Sequence, residues 1–138
     1  MNRQGIGMHD EVGRNKLDQL KQAAGRLRQG TDDPALQEEY KLDVMIQRFE
    51  LAYDLAWKLL KHVLLEQGIR AISPLEVFRE AFPFGWLGED PELWHKMIRD
   101  RNDTTHTYNP KHAAYICDNI RLDYLPALER LCSKLEPQ

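Results

Sequence analysis

The stretch LDVMIQRFELAYDLAWKLLKHVL, residues 42–64, carries apolar side chains on two stripes at once. One stripe is Leu42, Met45, Phe49, Ala52, Ala56, Leu59 and Val63; the other is Ile46, Tyr53, Trp57, Leu60 and Leu64. Both recur at three- and four-residue spacing, the period of an α-helix and not of a strand. A helix that is apolar on two sides is packed on two sides, so this segment reads as the central element of a helical domain. The remaining face holds Asp43, Gln47, Glu50, Asp54, Lys58 and Lys61, and Asp54 stands four residues before Lys58, where the two can pair. The spacing predicts a helix over 34–67. Asp33-Pro34 offers an N-cap with proline at the first helical position, and Gly68 offers the stop.

Working outward, Leu17, Leu20, Ala24 and Leu27 predict a helix over 14–29 that ends at Gly30. Downstream, Ser73-Pro74-Leu75-Glu76 is a capping box that opens a short helix bearing Val77, Phe78 and Ala81. That helix breaks before Pro83. An aromatic, glycine-bearing loop follows over 82–89; its part from Phe82 to Leu87 either contacts a partner or tucks into the bundle. Asp90-Pro91 caps a helix with Leu93, Trp94, Met97 and Ile98, and Asn109-Pro110 caps the last one. The last helix presents Ala113, Cys117, Ile120, Tyr124, Ala127 and Leu131 on one face, with a kink expected near Pro126. No stretch alternates with period two for long enough to make a strand. The expected architecture is all-α, an up-and-down bundle of about five helices, forming one domain over 14–135 behind a frayed or disordered lead over 1–13.

At 138 residues the chain suits one domain and a core that needs no disulfide or metal. It is 42% hydrophobic and 30% charged, an ordinary globular balance. No apolar run approaches the ~20 residues that span a bilayer, so no membrane association is expected. The first 13 residues are polar and glycine-rich, without a signal-peptide core, and a cytoplasmic location is expected. Cys117 and Cys132 fall in one predicted helix, too far apart to bridge, and read as small buried hydrophobes. The net charge of −3 excludes a generally basic nucleic-acid binder. The charge is unevenly spread, however. Residues 32–54 hold seven acidic residues against Lys41 and Arg48. Residues 95–112 hold Lys96, Arg99, Arg101 and Lys111 against Asp100 and Asp103, with three histidines besides. The second stretch is where a phosphate could bind.

Within it, Arg101-Asn102-Asp103-Thr104-Thr105-His106-Thr107-Tyr108 is unusually polar for a segment between two amphipathic helices. Arginine grips phosphate with a charged fork, histidine moves protons near neutral pH, and tyrosine adds a hydroxyl and a stacking face. On a continuous helix Arg101 and His106 stand about 140° apart, and Arg101 and Tyr108 about 20°. The bland reading is a hydrogen-bonded helix end in which Asp100 and Asp103 pair Arg99 and Arg101. Glu50 and Asp54, one turn apart, form either a metal pair or a solvated face paired to lysine. His62, His95 and His112 are read as lacking Cys or carboxylate at ligand spacing, so no metal and no cofactor are expected. There is no glycine-rich phosphate loop, nucleophile elbow or dinucleotide fingerprint, so nucleotidyl transfer by this chain itself is not expected.

The motif Arg101-x4-His106-x-Tyr108, with polar Asn102 after the arginine, resembles the active-site motif of the HEPN superfamily. The likeness extends to Arg48-Phe49-Glu50-Leu51-Ala52-Tyr53-Asp54-Leu55-Ala56-Trp57-Lys58, to Ser73-Pro74, to Trp94 and to Met97-Ile98-Arg99-Asp100-Arg101-Asn102, in order over about residues 14–133. Together these segments are similar to the nucleotidyltransferase substrate-binding branch. The resemblance implies a dimeric helical bundle paired with a small, separately encoded nucleotidyltransferase. It further implies a metal-independent endoribonuclease toxin in which Arg101, His106 and Asn102 act on RNA, with Lys96, Arg99 and Lys111 as further RNA contacts. The nucleotidyltransferase would neutralise it by adenylylating Tyr108. The same resemblance admits a non-catalytic subunit that binds substrate or docks the nucleotidyltransferase. Asn109-Pro110 departs from the acidic residue that often follows the tyrosine in relatives.

Overall fold

The computed structural model describes residues 10–106 and 109–137, with all side chains among them except those of residues 38, 39 and 106. Their helices are α1 (Glu11–Asp32), α2 (Glu38–Glu66), α3 (Pro74–Ala81), α4 (Pro91–Asp103), α5 (Pro110–Asn119) and α6 (Leu125–Leu135). A π-helical segment, Ile120–Tyr124, joins α5 to α6, so the last three pieces form one continuous rod and the bundle has five rods. No strand occurs among the described residues. The all-α expectation holds.

The helix with two apolar stripes is central, as its pattern requires: α2 packs against α1, α3, α5 and α6. Both stripes are buried, apart from Leu42 and Trp57, which are half-buried. From α2 a chain of aromatic contacts runs outward. Phe49 stacks on Tyr124 at 5.5 Å, Tyr53 meets the edge of Phe78 at 6.1 Å, and Phe78 leans on Trp94 at 5.0 Å. Such pairs add ~0.5–1.5 kcal/mol each beyond their burial. This chain fixes α4 relative to α2, and the candidate site lies between those two helices.

Local caps form where the sequence offers them. Ser73 Oγ accepts from the Glu76 N–H, while Glu76 Oε2 accepts from the Ile72 N–H. Asp90 and Asn109 cap α4 and α5 through their side chains. At Gly68 the backbone turns left-handed (φ 79°) and the Ile69 N–H reaches back to the Leu64 carbonyl at 2.9 Å, closing α2.

Three expectations are corrected. α1 does not stop at Gly30; it runs from the Asp10 cap to Asp32, so residues 11–13 are helical, while the lead over 1–9 lies outside the described residues. Gly30 is buried against α2, where a Cβ would lie 3.2 Å from Arg48 Nη1 and 3.4 Å from Val44 Cγ1. Arg48 lies in that space and donates to the Arg26 carbonyl at 2.6 Å. The glycine serves a close helix approach and not a helix end. Asp33-Pro34 does not open α2 either: Asp33 Oδ1 accepts from the Ala35 N–H at 2.9 Å, holding a turn ahead of Glu38. And the irregularity expected near Pro126 is the π segment just before it. There the Leu125 N–H bonds Ile120, five residues back, and the ladder is already widened where the proline ring would clash.

The loop after α3 tucks inward. Trp86 and Leu87 are buried, Phe84 stacks on Trp86 at 4.5 Å, and the Leu87 carbonyl accepts the Trp94 indole N–H at 2.8 Å. Cys117 and Cys132 are buried and form no disulfide with each other, and the Cys117 thiol lies 3.6 Å from the Leu42 carbonyl. No helix among the described residues is long and apolar enough to cross a membrane.

Candidate functional site

Near its C-terminal end α4 tightens into a 3-10 turn, Thr104–His106. The tightening brings the Thr104 N–H to the Arg101 carbonyl. It also sets the Thr104 hydroxyl beside the Arg101 side chain. Arg101 Nη1 donates to Thr104 Oγ1 at 3.1 Å and to Glu50 Oε2 at 3.3 Å. The single proton of Thr104 Oγ1 serves either Glu50 Oε2, at 2.6 Å, or the Arg101 carbonyl, at 2.7 Å. A guanidinium carries five N–H donors in a fixed fork, so holding it at Nη1 orients the group without exhausting it. The Arg101 side chain is 29% exposed. Beneath it the Tyr53 ring centroid lies 6.0 Å from the guanidinium carbon. Burial pushes the Tyr53 hydroxyl up to about 12, with the Arg101 charge pulling the other way.

Asp100 points the opposite way, into the core. It accepts from the Tyr124 hydroxyl at 2.5 Å and from Asn119 Nδ2 at 2.9 Å, both on the last rod. Burial, then the bond to Asp100, raises the Tyr124 hydroxyl far above its ordinary range. This buried junction pins α4 and so sets the direction of Arg101. It also replaces the helix-end pairing the sequence suggested. Asp100 is turned inward, Asp103 lies 4.0 Å from His112 Nε2, and Arg101 finds its carboxylate on α2.

Of the other residues singled out in the sequence, Lys96 and Arg99 are engaged elsewhere than at Arg101. Arg99 lies about 200° from Arg101 around α4. It lines an apolar groove of about 630 Å³ between α3 and α4, floored by Phe78, Phe82 and Trp94. Lys96 is tied to Asn119 Oδ1 at 3.2 Å and lies 3.6 Å from Asp123. Lys111 is exposed in the first turn of α5. Asn102 is exposed, and its carbonyl accepts from the Thr105 hydroxyl at 3.1 Å. The His106 side chain and all of Tyr108 lie outside the described residues.

Glu50, Thr104 and Tyr53 join the site without having been assigned to it. Asp54 pairs Lys58 at 2.9 Å as its spacing suggests, but Glu50, one turn earlier, is paired with Arg101 and Thr104 instead of a lysine. The sequence marked it only as a member of the 48–58 stretch and as one half of a carboxylate pair with Asp54, not as a partner of Arg101. The expectation for His62 also fails. Glu66 follows it by one helical turn, 3.2 Å from Nε2, and Asp10 approaches from α1 at 3.0 Å.

A family model described as "Nucleotidyltransferase substrate binding protein like" matches residues 15–137. A Haemophilus influenzae protein named as a probable ribonuclease, HepT, is 32% identical over 92 residues, which are 63% of this chain and 62% of that protein. The match thus spans less than two thirds of that relative's length. A Thermus thermophilus crystal structure superposes with a TM-score of 0.76 at 31% identity, covering 85% of this chain and 98% of the other. A solved structure from Haemophilus influenzae, described as the fold of a substrate-binding domain of a nucleotidyltransferase, gives a TM-score of 0.67 at 28% identity over 90% and 96% of the two chains. A Shewanella oneidensis HEPN toxin, tri-AMPylated and in complex with its MNT antitoxin, shares the fold at 18% identity, with a TM-score of 0.70 over 92% and 99%.

Proposed function

Because the chain belongs to the nucleotidyltransferase substrate-binding protein-like family, we propose that it is the HEPN-type half of a two-component system whose other half is a small nucleotidyltransferase, and that it is a metal-independent endoribonuclease acting as a toxin in the cytoplasm. The observation that carries this reading is Arg101, a half-exposed guanidinium held in one orientation by Glu50 and Thr104, at the start of the turn that leads into His106. A phosphate gripped there would stand within a few residues of a histidine.

RNA carries its own nucleophile, the 2′-hydroxyl, so the reaction needs no metal-bound water. The 2′-oxygen bonds to the adjacent phosphorus and the bond to the 5′-oxygen breaks, leaving a 2′,3′-cyclic phosphate and a 5′-hydroxyl. One proton leaves the 2′-hydroxyl and one is delivered to the departing 5′-oxygen. His106 serves one of these transfers, and its copy in a second subunit serves the other across a shared cleft. Arg101 holds the phosphate and offsets the charge that develops on it. Asn102 orients the pair, and Lys96, Arg99 and Lys111 add weaker contacts, so binding weakens with salt. Adenylylation of Tyr108 by the partner would place a bulky anion where substrate phosphate must bind. What supports the ribonuclease-toxin reading is the Haemophilus relative named as a probable ribonuclease, together with the AMPylated Shewanella toxin bound to its antitoxin.

The test is cleavage of a panel of RNAs by purified homodimer, free of partner and unmodified at Tyr108. His106→Ala should lower the rate about 10²–10⁴-fold. Arg101→Ala should abolish cutting with the dimer intact, and activity should persist in EDTA. Incubation with the nucleotidyltransferase, ATP and magnesium should add nucleotide mass at Tyr108 and stop cleavage. If the wild type cuts none of the panel, the second reading stands: a docking subunit without chemistry. The Glu50–Arg101 ion pair favours that reading, since it already neutralises the arginine.

A further inference from the structure

We propose that Asp10, His62 and Glu66 form a site for a divalent cation of the zinc type, which clips the start of α1 to the end of α2. His62 Nε2 lies 3.0 Å from Asp10 Oδ2 and 3.2 Å from Glu66 Oε1. The three donor atoms all lie within 4.8 Å of one another. Tetrahedral zinc, with bonds of ~2.0–2.1 Å, sets its donor atoms about 3.3 Å apart. Two of the three spacings are therefore close to those of a bound ion. The third closes by rotation of Glu66, whose side chain is 35% exposed in the last position of α2.

The geometry is built from both helices. His62 and Glu66 are four apart and share a face of α2. Asp10 is the cap of α1, and its Oδ1 is fixed by the Gly13 N–H at 3.1 Å, which directs Oδ2 to the imidazole. A single imidazole nitrogen thus faces two carboxylates. It carries at most one hydrogen, so a proton there leaves the cluster with a net negative charge. A dication bound by neutral imidazole and two carboxylates balances it fully. One nitrogen with two oxygens suits zinc and its first-row neighbours, whereas calcium and magnesium favour oxygen alone. Water completes the coordination. Glu50 lies twelve residues before His62, about 18 Å along α2. The clip is therefore separate from Arg101, and its role is to tie α1 to α2.

The experiment uses the full chain, stripped with EDTA, dialysed, and titrated with Zn²⁺ by calorimetry and with Co²⁺ by visible absorption. The expected result is one equivalent per chain, a four-coordinate cobalt spectrum, and a rise in Tm of about 5–10 °C at a hundredfold excess over Kd. His62→Ala and the surface change Glu66→Gln should each weaken binding at least tenfold and cut the Tm rise by half or more. No saturable binding up to millimolar Zn²⁺, or wild-type affinity retained in both variants, would overturn the proposal and leave an ordinary ion-paired cluster. Neither readout depends on RNA cleavage, so the site stands or falls apart from the catalytic reading.

Discussion

Arg101 is useful only if it points one way, and Glu50 and Thr104 supply that constraint from two different elements. Glu50→Gln keeps the shape, but it removes the charge that orients the guanidinium and weakens the bond with the Thr104 hydroxyl. Under the ribonuclease reading the loss falls on positioning, while the site becomes more positive. The expected outcome is a kcat about tenfold lower, near 1.4 kcal/mol of barrier, with KM unchanged or reduced. Steady-state kinetics on a cleaved RNA checks this. An unaltered kcat would show that Glu50 does not position Arg101. Asp100 belongs to the same scale. With Tyr124 and Asn119 it holds α4, and therefore Arg101, without facing the site.

At the scale of the element, two glycines in α1 separate helix propensity from packing. Gly25 is exposed, and a Cβ there meets nothing within 4 Å. Gly25→Ala should stabilise the chain by about 1 kcal/mol, since glycine is a poor residue for a helix interior. Gly30→Ala gains the same propensity but crowds Arg48 Nη1 at 3.2 Å, the group that bonds the Arg26 carbonyl. Its gain should be smaller or reversed. Denaturant midpoints of the two variants, measured side by side, decide the matter; equal gains would mean that the Arg48 contact has no energetic weight.

For the whole molecule, burial makes ionisation of several core acids costly, and all act in one direction. Burial pushes the Cys132 thiol up to about 11 and the Tyr53 hydroxyl up to about 12, and raises Tyr124 further. A group whose pKa is raised in the folded state holds its proton more tightly there than in the unfolded chain. Its stabilising effect is complete below the unfolded pKa and is lost as pH rises through the folded one. Stability should therefore fall between about pH 9 and 12. Guanidinium midpoints at pH 8, 10 and 11 should decline steadily, and Tyr53→Phe should make the decline shallower. A flat profile from pH 8 to 11 would contradict this account.

What the sequence determined by itself was the helical class, the central place of α2, and the ends marked by Ser73, Asp90, Asn109 and Gly68. Those signals act within one turn of backbone: an apolar period, a side-chain oxygen over a free N–H, a glycine able to turn left-handed. The motif around Arg101 was legible as a polar cluster at a helix end, and the family likeness supplied the expectation of what such a cluster serves. The tertiary structure decided the partners. Glu50 meets Arg101 across 51 residues and Asp10 meets His62 across 52, distances over which no local period carries information. It likewise turned Asp100 inward and set Gly30 against Arg48. Each of these choices follows from which faces of two helices are pressed together, a property of the packed bundle and not of any one segment.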